Sequence, residues 1–448
     1  MILKFIDRED EFEILKNSLR NPILIYGKRR VGKTELIKQF IKNKKSFYFI
    51  FHKNKLETEF QRFVAKFNKE FNIFIEAKSF EEFFEKIKNK GIIIVFDEFS
   101  YLVEKNPEVS SIFQEIIDEI IKKSNLTLIF CGSLIGTMES LFSYKNPLYG
   151  RIKTRVELKE LEFKYIKNFL PNYSIKNLIK VYACVGGVPA YIAEFNDKIS
   201  FEKNLEKLFF RKESFFYDDA ERILKDELRE PDIYFRIIEA IANGETTLGN
   251  IASYAYVDIT NLLKYLKILE KMNIIKKIKP LFLKKGLWKL ADNYFNFWIN
   301  FIYPYSEELE LGTYNFPDEK FNCYVSFIFE KICMQAIIEM IKQGKFNFTK
   351  TGKWWYKDKE LDLVALDEPG KKIMLGECKW KEKINALKIC KKLAEKSVHV
   401  KWNNEERKES FAVFAKSFSK RIKEFEGRNV YCFDLKDLEI ILGFFKEL

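Results

Sequence analysis

The sequence predicts a multidomain α/β protein, and three observations carry that prediction. Over the first 160 residues, short apolar runs rich in β-formers alternate with helical patterns, which is how a parallel sheet covered by helices reads. From Asp232 the pattern changes to three short amphipathic helices and a lysine-rich pair of strands. After Asp318 a long helical stretch precedes strands that carry acidic residues inside apolar runs. A chain of 448 residues suits roughly three domains. The boundaries read from the pattern are an α/β core over 1–160, a helical segment over 161–228, a helix-and-hairpin segment over 229–303 and a last α/β segment over 304–448.

Composition limits the chemistry. His52 and His399 are the only histidines, too few for a three-His zinc site, so catalysis must run on carboxylates, lysines and backbone amides. The 7 cysteines are odd in number and contain no Cys-x-x-Cys pair, which argues for buried, reduced thiols in a cytoplasmic protein. The start, Met1-Ile2-Leu3-Lys4-Phe5, lacks a signal-peptide layout. The longest apolar stretch, 126–138, is too short to span a bilayer, so no membrane partner is expected.

The first strand, 22–26, runs into Gly27-Lys28-Arg29-Arg30-Val31-Gly32-Lys33-Thr34 and then a helix beginning with Glu35. Gly-x-x-x-x-Gly-Lys-Thr between strand and helix is a phosphate loop, and the segment Gly27 to Glu35 is the expected nucleotide cradle. Its glycines let the backbone wrap around phosphates, so that N–H groups and the helix N-terminus face the anion. Lys33 is expected to reach the β- and γ-phosphates and Thr34 to ligate Mg²⁺. A strand over 46–51 comes next and is expected to separate the phosphate loop from the acidic pair. The strand 92–96 ends in Asp97-Glu98. Asp97 fits a metal role and Glu98 the base that polarises the attacking water. The strand 126–131 leads to Ser133, which is placed to sense the γ-phosphate.

Three helices follow Asp232, the third over 259–272 with Leu262, Leu263, Leu266, Ile268 and Leu269 as its expected inward face. A hairpin of 274–280 with 281–290 completes a winged-helix layout. The net charge of +13 is concentrated here. Residues 261–290 hold nine lysines (264, 267, 271, 276, 277, 279, 284, 285 and 289) against one acid, Glu270. DNA is the expected partner, with Thr260, Asn261, Lys264 and Lys267 facing a groove and Lys284 and Lys285 touching phosphate from the wing. A winged helix used for protein docking is the alternative.

The long helix over 318–342 carries Glu330. Beyond it, Asp362 lies in an apolar strand, a turn follows at Pro369-Gly370, and Glu377-Cys378-Lys379 ends the next strand. Residues two apart on a strand share a face, so Glu377 and Lys379 point the same way, with Asp362 opposite if the hairpin register permits. Two carboxylates can hold Mg²⁺ while a lysine orients the nucleophile. This Asp…Glu-x-Lys order resembles restriction-endonuclease-like nucleases, and Glu330 is similar to the extra helical acid of Holliday-junction-resolvase-like members.

The N-terminal motifs resemble archaeal ATPases related to the AAA+ and STAND classes. The resemblance rests on Phe5-Ile6-Asp7-Arg8-Glu9-Asp10-Glu11, Phe96-Asp97-Glu98-Phe99, Pro147-Leu148-Tyr149-Gly150-Arg151 and Val185-Gly186-Gly187-Val188-Pro189-Ala190-Tyr191. It implies ATP as the nucleotide and Arg151 as an arginine finger or sensor, against the plain alternative of a surface arginine. Members often carry Gly-Ser-Ser after the third strand, where this chain has Gly132-Ser133-Leu134, which leaves Ser133 as the candidate there. The fold class expected is therefore a P-loop ATPase of the branch with an added strand and a catalytic Glu, a helical lid, a winged helix and an α/β restriction-endonuclease-like domain. The function expected is a DNA-associated ATPase with Mg²⁺-dependent endonuclease chemistry, a state of oligomerisation being left open. The alternatives are a regulatory ATP switch with an inert nuclease-like domain and a peptide-loading ATPase, which leaves Glu-x-Lys and the lysine cluster without a role.

Overall fold

The computed structural model describes residues 6–283 and 285–444. The chain divides into two compact units. The first comprises the residues up to Leu161 with 188–190 and 267–273, and the second holds the remainder.

The first unit is built on five parallel strands, β1 Ile23–Tyr26, β2 Ser46–Ile50, β3 Ile93–Asp97, β4 Thr127–Gly132 and β5 Thr154–Glu157, in the order β2-β3-β4-β1-β5. Strands buried on both faces read as unbroken apolar runs, and that is why the strands were legible. Their alternation sorts the core. Leu24, Phe96 and Phe130 join the phenylalanine-rich layer with Phe47, Phe63 and Phe113, while Ile25, Val95, Ile129 and Cys131 pack under Leu36, Ile37 and Phe40 of the helix Lys33–Ile41. Asp97 shares parity with Val95, so it faces that helix. One expectation is corrected: β2 does not separate the phosphate loop from the acidic pair. It lies at the sheet edge outside β3, and β4 is the strand between β1 and β3.

In the second unit the helices Ile175–Val185, Asn293–Phe301 and Asp318–Lys342 pack together. Asn293 Nδ2 donates to the Tyr182 carbonyl (2.8 Å) and Tyr324 Oη to the Ala183 carbonyl (2.8 Å). The helices Pro231–Ala242, Leu248–Ala255 and Ile259–Lys271 are followed by the antiparallel pair β6 Ile275–Ile278 and β7 Leu287–Leu290. Leu262, Leu266 and Leu269 are buried as expected, but Leu263 is 49% and Ile268 39% exposed. The buried set follows i, i+4, i+7, and the other two lie off that stripe.

The hairpin is also shorter than expected. Pro280 and Leu281 leave it, and the Leu281 amide donates to the Lys353 carbonyl (2.8 Å) while its side chain enters the C-terminal core beside Trp354 and Leu361. Gly352 makes room, since a Cβ there would meet Leu281 Cγ at 3.0 Å.

The C-terminal sheet is formed by β8 Lys350–Tyr356, β9 Lys359–Asp367, β10 Lys372–Lys379, β12 Lys408–Ala415, β14 Glu424–Phe425 and β15 Arg428–Phe433, in the order β14-β15-β12-β10-β9-β8. The short strands β11 Ile384–Asn385 and β13 Phe418–Lys420 pair separately. Strands β8, β9 and β10 are antiparallel, whereas β10, β12 and β15 run parallel, and the helix Ala386–Ser397 lies in the crossover from β10 to β12. A parallel return of this kind needs such a crossover. No helix among the described residues is long and apolar enough to cross a membrane.

Candidate active sites

The phosphate loop takes its shape from three residues with positive φ, namely Gly27 (150°), Arg30 (66°) and Gly32 (97°). A side chain at Gly27 is excluded because a Cβ would stand 2.3 Å from the Leu158 carbonyl oxygen. Val31 is buried under the loop, and Glu35 accepts from Gln39 Nε2 (3.0 Å) on the helix behind it. The Lys33 ammonium lies within the loop, donating to the Gly27 and Lys28 carbonyls at 2.8 Å each.

Thr34 Oγ1 donates to Asp97 Oδ2 (3.0 Å), and Tyr48 Oη on β2 donates to the same oxygen in a very short hydrogen bond. The other carboxylate oxygen of Asp97 accepts from the Glu98 amide (2.9 Å). Burial, then the Asp97 charge, pushes the Tyr48 phenol far above its usual range, which keeps it a donor. Glu98 sits at φ 52°, a strained left-handed conformation that turns the chain sharply at the end of β3. Its Oε2 accepts from Ser133 Oγ at 2.9 Å and from the Ser133 amide at 3.4 Å. Arg151, by contrast, donates from Nε to Asp118 Oδ2 (2.7 Å) and from Nη1 to the Pro147 carbonyl (2.9 Å).

The second candidate site lies at the ends of β9 and β10. The register pairs Gly376 with Leu363, and one step further sets Asp362 beside Glu377. The Cys378 amide donates to Asp362 Oδ2 (2.8 Å), locking the carboxylate against β10. Lys379 Nζ makes a very short contact with Glu377 Oε2 and stands 3.7 Å from Asp362 Oδ2, so an ammonium bridges the two acids. Burial pulls the Lys379 ammonium down, but Glu377 and Asp362 outweigh it and hold it charged. Burial, then Glu377, raises Asp362 above the usual carboxylate range.

Glu330 faces the same cluster from the helix Asp318–Lys342, and burial followed by the Asp362 charge pushes it up to about 7. Two residues missed in the sequence complete the group. Lys353 on β8 pairs with Glu330, and Lys396 near the end of the helix Ala386–Ser397 pairs with the free oxygen of Glu377 while donating to the Glu360 carbonyl (2.7 Å). No sequence signal marks them among so many lysines.

Among the described residues no group of three His, Cys, Asp or Glu side chains is placed to hold a metal ion. A cation at either site would therefore draw on a hydroxyl, water or substrate phosphate, as Mg²⁺ commonly does.

Thr260, Asn261, Lys264 and Lys267 are all exposed on the helix Ile259–Lys271, and Lys285 is exposed beyond Leu283. Lys284 lies outside the described residues. Tyr256 (89% exposed), Ile259 (52%) and Leu263 are exposed apolar side chains of the same stretch of chain.

A family model described as an ATPase domain predominantly from Archaea matches residues 5–195, and one described as archaea bacterial proteins of unknown function matches 298–396. An uncharacterized protein of Methanocaldococcus jannaschii, MJECL04, is 34% identical over 97% of this chain and 99% of its own length. From the same organism, the uncharacterized ATP-binding protein MJ0423 is 48% identical over 48 residues, which are 10% of this chain and 81% of that protein. Among solved structures, the Walker-type ATPase PABY2304 of Pyrococcus abyssi superposes with a TM-score of 0.53 at 23% identity, covering 66% of this chain and 96% of that one. That likeness is one of fold.

Proposed function

Since the chain belongs to this archaeal family of P-loop ATPases, we propose that it binds and hydrolyses ATP at the loop Gly27 to Thr34 and associates with DNA, which its C-terminal carboxylates cleave. The observation that carries the first part is the convergence of Thr34 and Tyr48 on Asp97, with Glu98 poised at the next residue. The hydroxyl of Thr34 and the carboxylate of Asp97, 3.0 Å apart, are hard oxygen donors that suit Mg²⁺. Bound with ATP, that ion neutralises phosphate charge. Lys33 binds the terminal phosphates, the loop amides orient them, and Glu98 takes a proton from the attacking water. Replacing Lys33 with Ala is expected to abolish ATP turnover, and retained turnover refutes the assignment.

For the second part, Asp362 and Glu377 would hold Mg²⁺ together with a substrate phosphate, and Lys379 would orient the nucleophile. The bridging ammonium of Lys379 supports this, because it already occupies a cation position between the two acids. The test is Mg²⁺-dependent cleavage of linear and branched DNA by the wild type and by Glu377→Ala. Absence of cleavage under every nucleotide condition sinks the nuclease reading and leaves the ATP switch with an inert C-terminal domain. Exposed Tyr256, Ile259 and Leu263 favour a second reading of the helix Ile259–Lys271, as a protein-docking face instead of a groove reader.

A further inference from the structure

The C-terminal cluster is internally neutralised. With the acids ionised, the charges of Glu330, Asp362 and Glu377 are matched by those of Lys353, Lys379 and Lys396, each lysine in direct ion contact with a carboxylate. This balance has a physical cause. Asp362 and Glu377 are buried side by side, and neighbouring buried carboxylates without counter-charge are strongly disfavoured. The lysines come from separate elements, β8, β10 and the helix Ala386–Ser397, so the fold converges three cations on the acids. They are also the more open members: the side chains of Lys379 and Lys396 are 36% and 26% exposed, against 6% for Glu377.

Resting on the metal-dependent reading above, we propose that Lys396 is a built-in counter-ion that a divalent cation must displace, and that the freed ammonium then holds the phosphodiester. A divalent ion entering a neutral cluster leaves it with two positive charges. Burial disfavours that state unless an anion arrives with the metal. Lys396 contacts Glu377 Oε1, while Lys379 contacts Oε2, so a metal approaching either oxygen of Glu377 is repelled by an ammonium until a lysine moves. A moved lysine reaches solvent, because its side chain is already partly exposed. Metal alone therefore binds weakly, and metal and phosphodiester each strengthen the binding of the other. Lys396 thus neutralises Glu377 before the metal arrives and meets the phosphodiester afterwards.

The test measures Mn²⁺ binding by electron paramagnetic resonance on the full chain at mildly alkaline pH. The chain carries Asp97→Asn to silence the phosphate-loop site, and Mn²⁺ is titrated alone and with a short DNA duplex. Lys396→Met keeps the aliphatic stem and removes the charge. It is expected to tighten Mn²⁺ binding without DNA by about tenfold, the middle of the range for groups in one ion-pair network, and to shrink the enhancement produced by the duplex. Lys396→Arg, which keeps the charge, is expected to bind Mn²⁺ as weakly as the parent. If Lys396→Met fails to fold, Lys396→Gln, which also removes the charge, is read in the same way. Unchanged or weaker Mn²⁺ binding by Lys396→Met, in a chain where Asp362→Asn and Glu377→Gln abolish it, overturns the counter-ion role and leaves the metal reading standing. If neither carboxylate variant alters Mn²⁺ binding, the metal reading falls, and this inference falls with it.

Discussion

Ser133 donates its hydroxyl to Glu98 Oε2 at 2.9 Å, so the residue at the end of β4 holds the carboxylate that follows β3. If Glu98 is the base for ATP hydrolysis, Glu98→Gln retains nucleotide affinity and loses turnover by roughly 10²–10⁴-fold, the usual contribution of a positioned general base. Ser133→Ala is expected to lose less, and the double variant to lose no more than Glu98→Gln alone, because the pair acts as a unit. Steady-state ATP turnover beside fluorescent-nucleotide binding measures both.

Tyr48 was not expected at the site. Tyr48→Phe removes a donor to a buried carboxylate, a bond worth about 1.5–3 kcal/mol, so nucleotide-free protein should unfold at lower urea. The Mg²⁺ concentration needed for half-maximal turnover should change as well, since Asp97 loses one of the three donors that hold it. An unaltered Mg²⁺ requirement would show that Tyr48 is structural only.

Glu330, raised to about 7 by burial and the Asp362 charge, gives the second unit a pH signature. Its folded value lies above its unfolded one, so the folded state binds the extra proton between them. That contribution is fully present below the unfolded value and is lost as pH rises through about 7. Relative to Glu330→Gln, the wild type should lose on the order of 2 kcal/mol between acidic and mildly alkaline pH. All 6 tryptophans (288, 298, 354, 355, 380 and 402) belong to the second unit, so tryptophan fluorescence in urea reads this transition separately from the ATPase core.

If the lysine cluster at 261–290 contacts phosphate, DNA affinity falls steeply with salt. Replacing Lys264 and Lys267 together with Ala should then lower the slope of log affinity against log salt by about 2. A flat salt response favours protein docking through Tyr256, Ile259 and Leu263.

What the sequence disclosed follows from how locally each feature is specified. Gly27 to Thr34 is contiguous, and the backbone of that one segment makes the cradle. Asp362 and Glu377 were readable because a tight turn after Asp367 fixes the register between their strands. Tyr48, Lys353 and Lys396 were not readable. Each reaches its carboxylate from another strand or helix, and sheet order is not written in any one segment. The misplaced β2 has the same cause, because consecutive parallel strands need not be neighbours. Leu263 and Ile268 were misassigned because a helix rich in leucine admits more than one apolar stripe, and only packing selects among them.

The burial of Leu281 bears on where this protein can be cut. A boundary drawn by pattern at 303, or by family likeness at 298, leaves out a side chain that fills the core beside Trp354 and Leu361. It also strips the helix Asp318–Lys342 of the helices Ile175–Val185 and Asn293–Phe301. A fragment beginning at 304 would carry a hole and an uncovered apolar face, and should be recovered insoluble. The segment that the C-terminal family model matches is thus smaller than the segment that shares its core. A recombination event that transplanted only the former would deliver the carboxylates without the scaffold that aligns them.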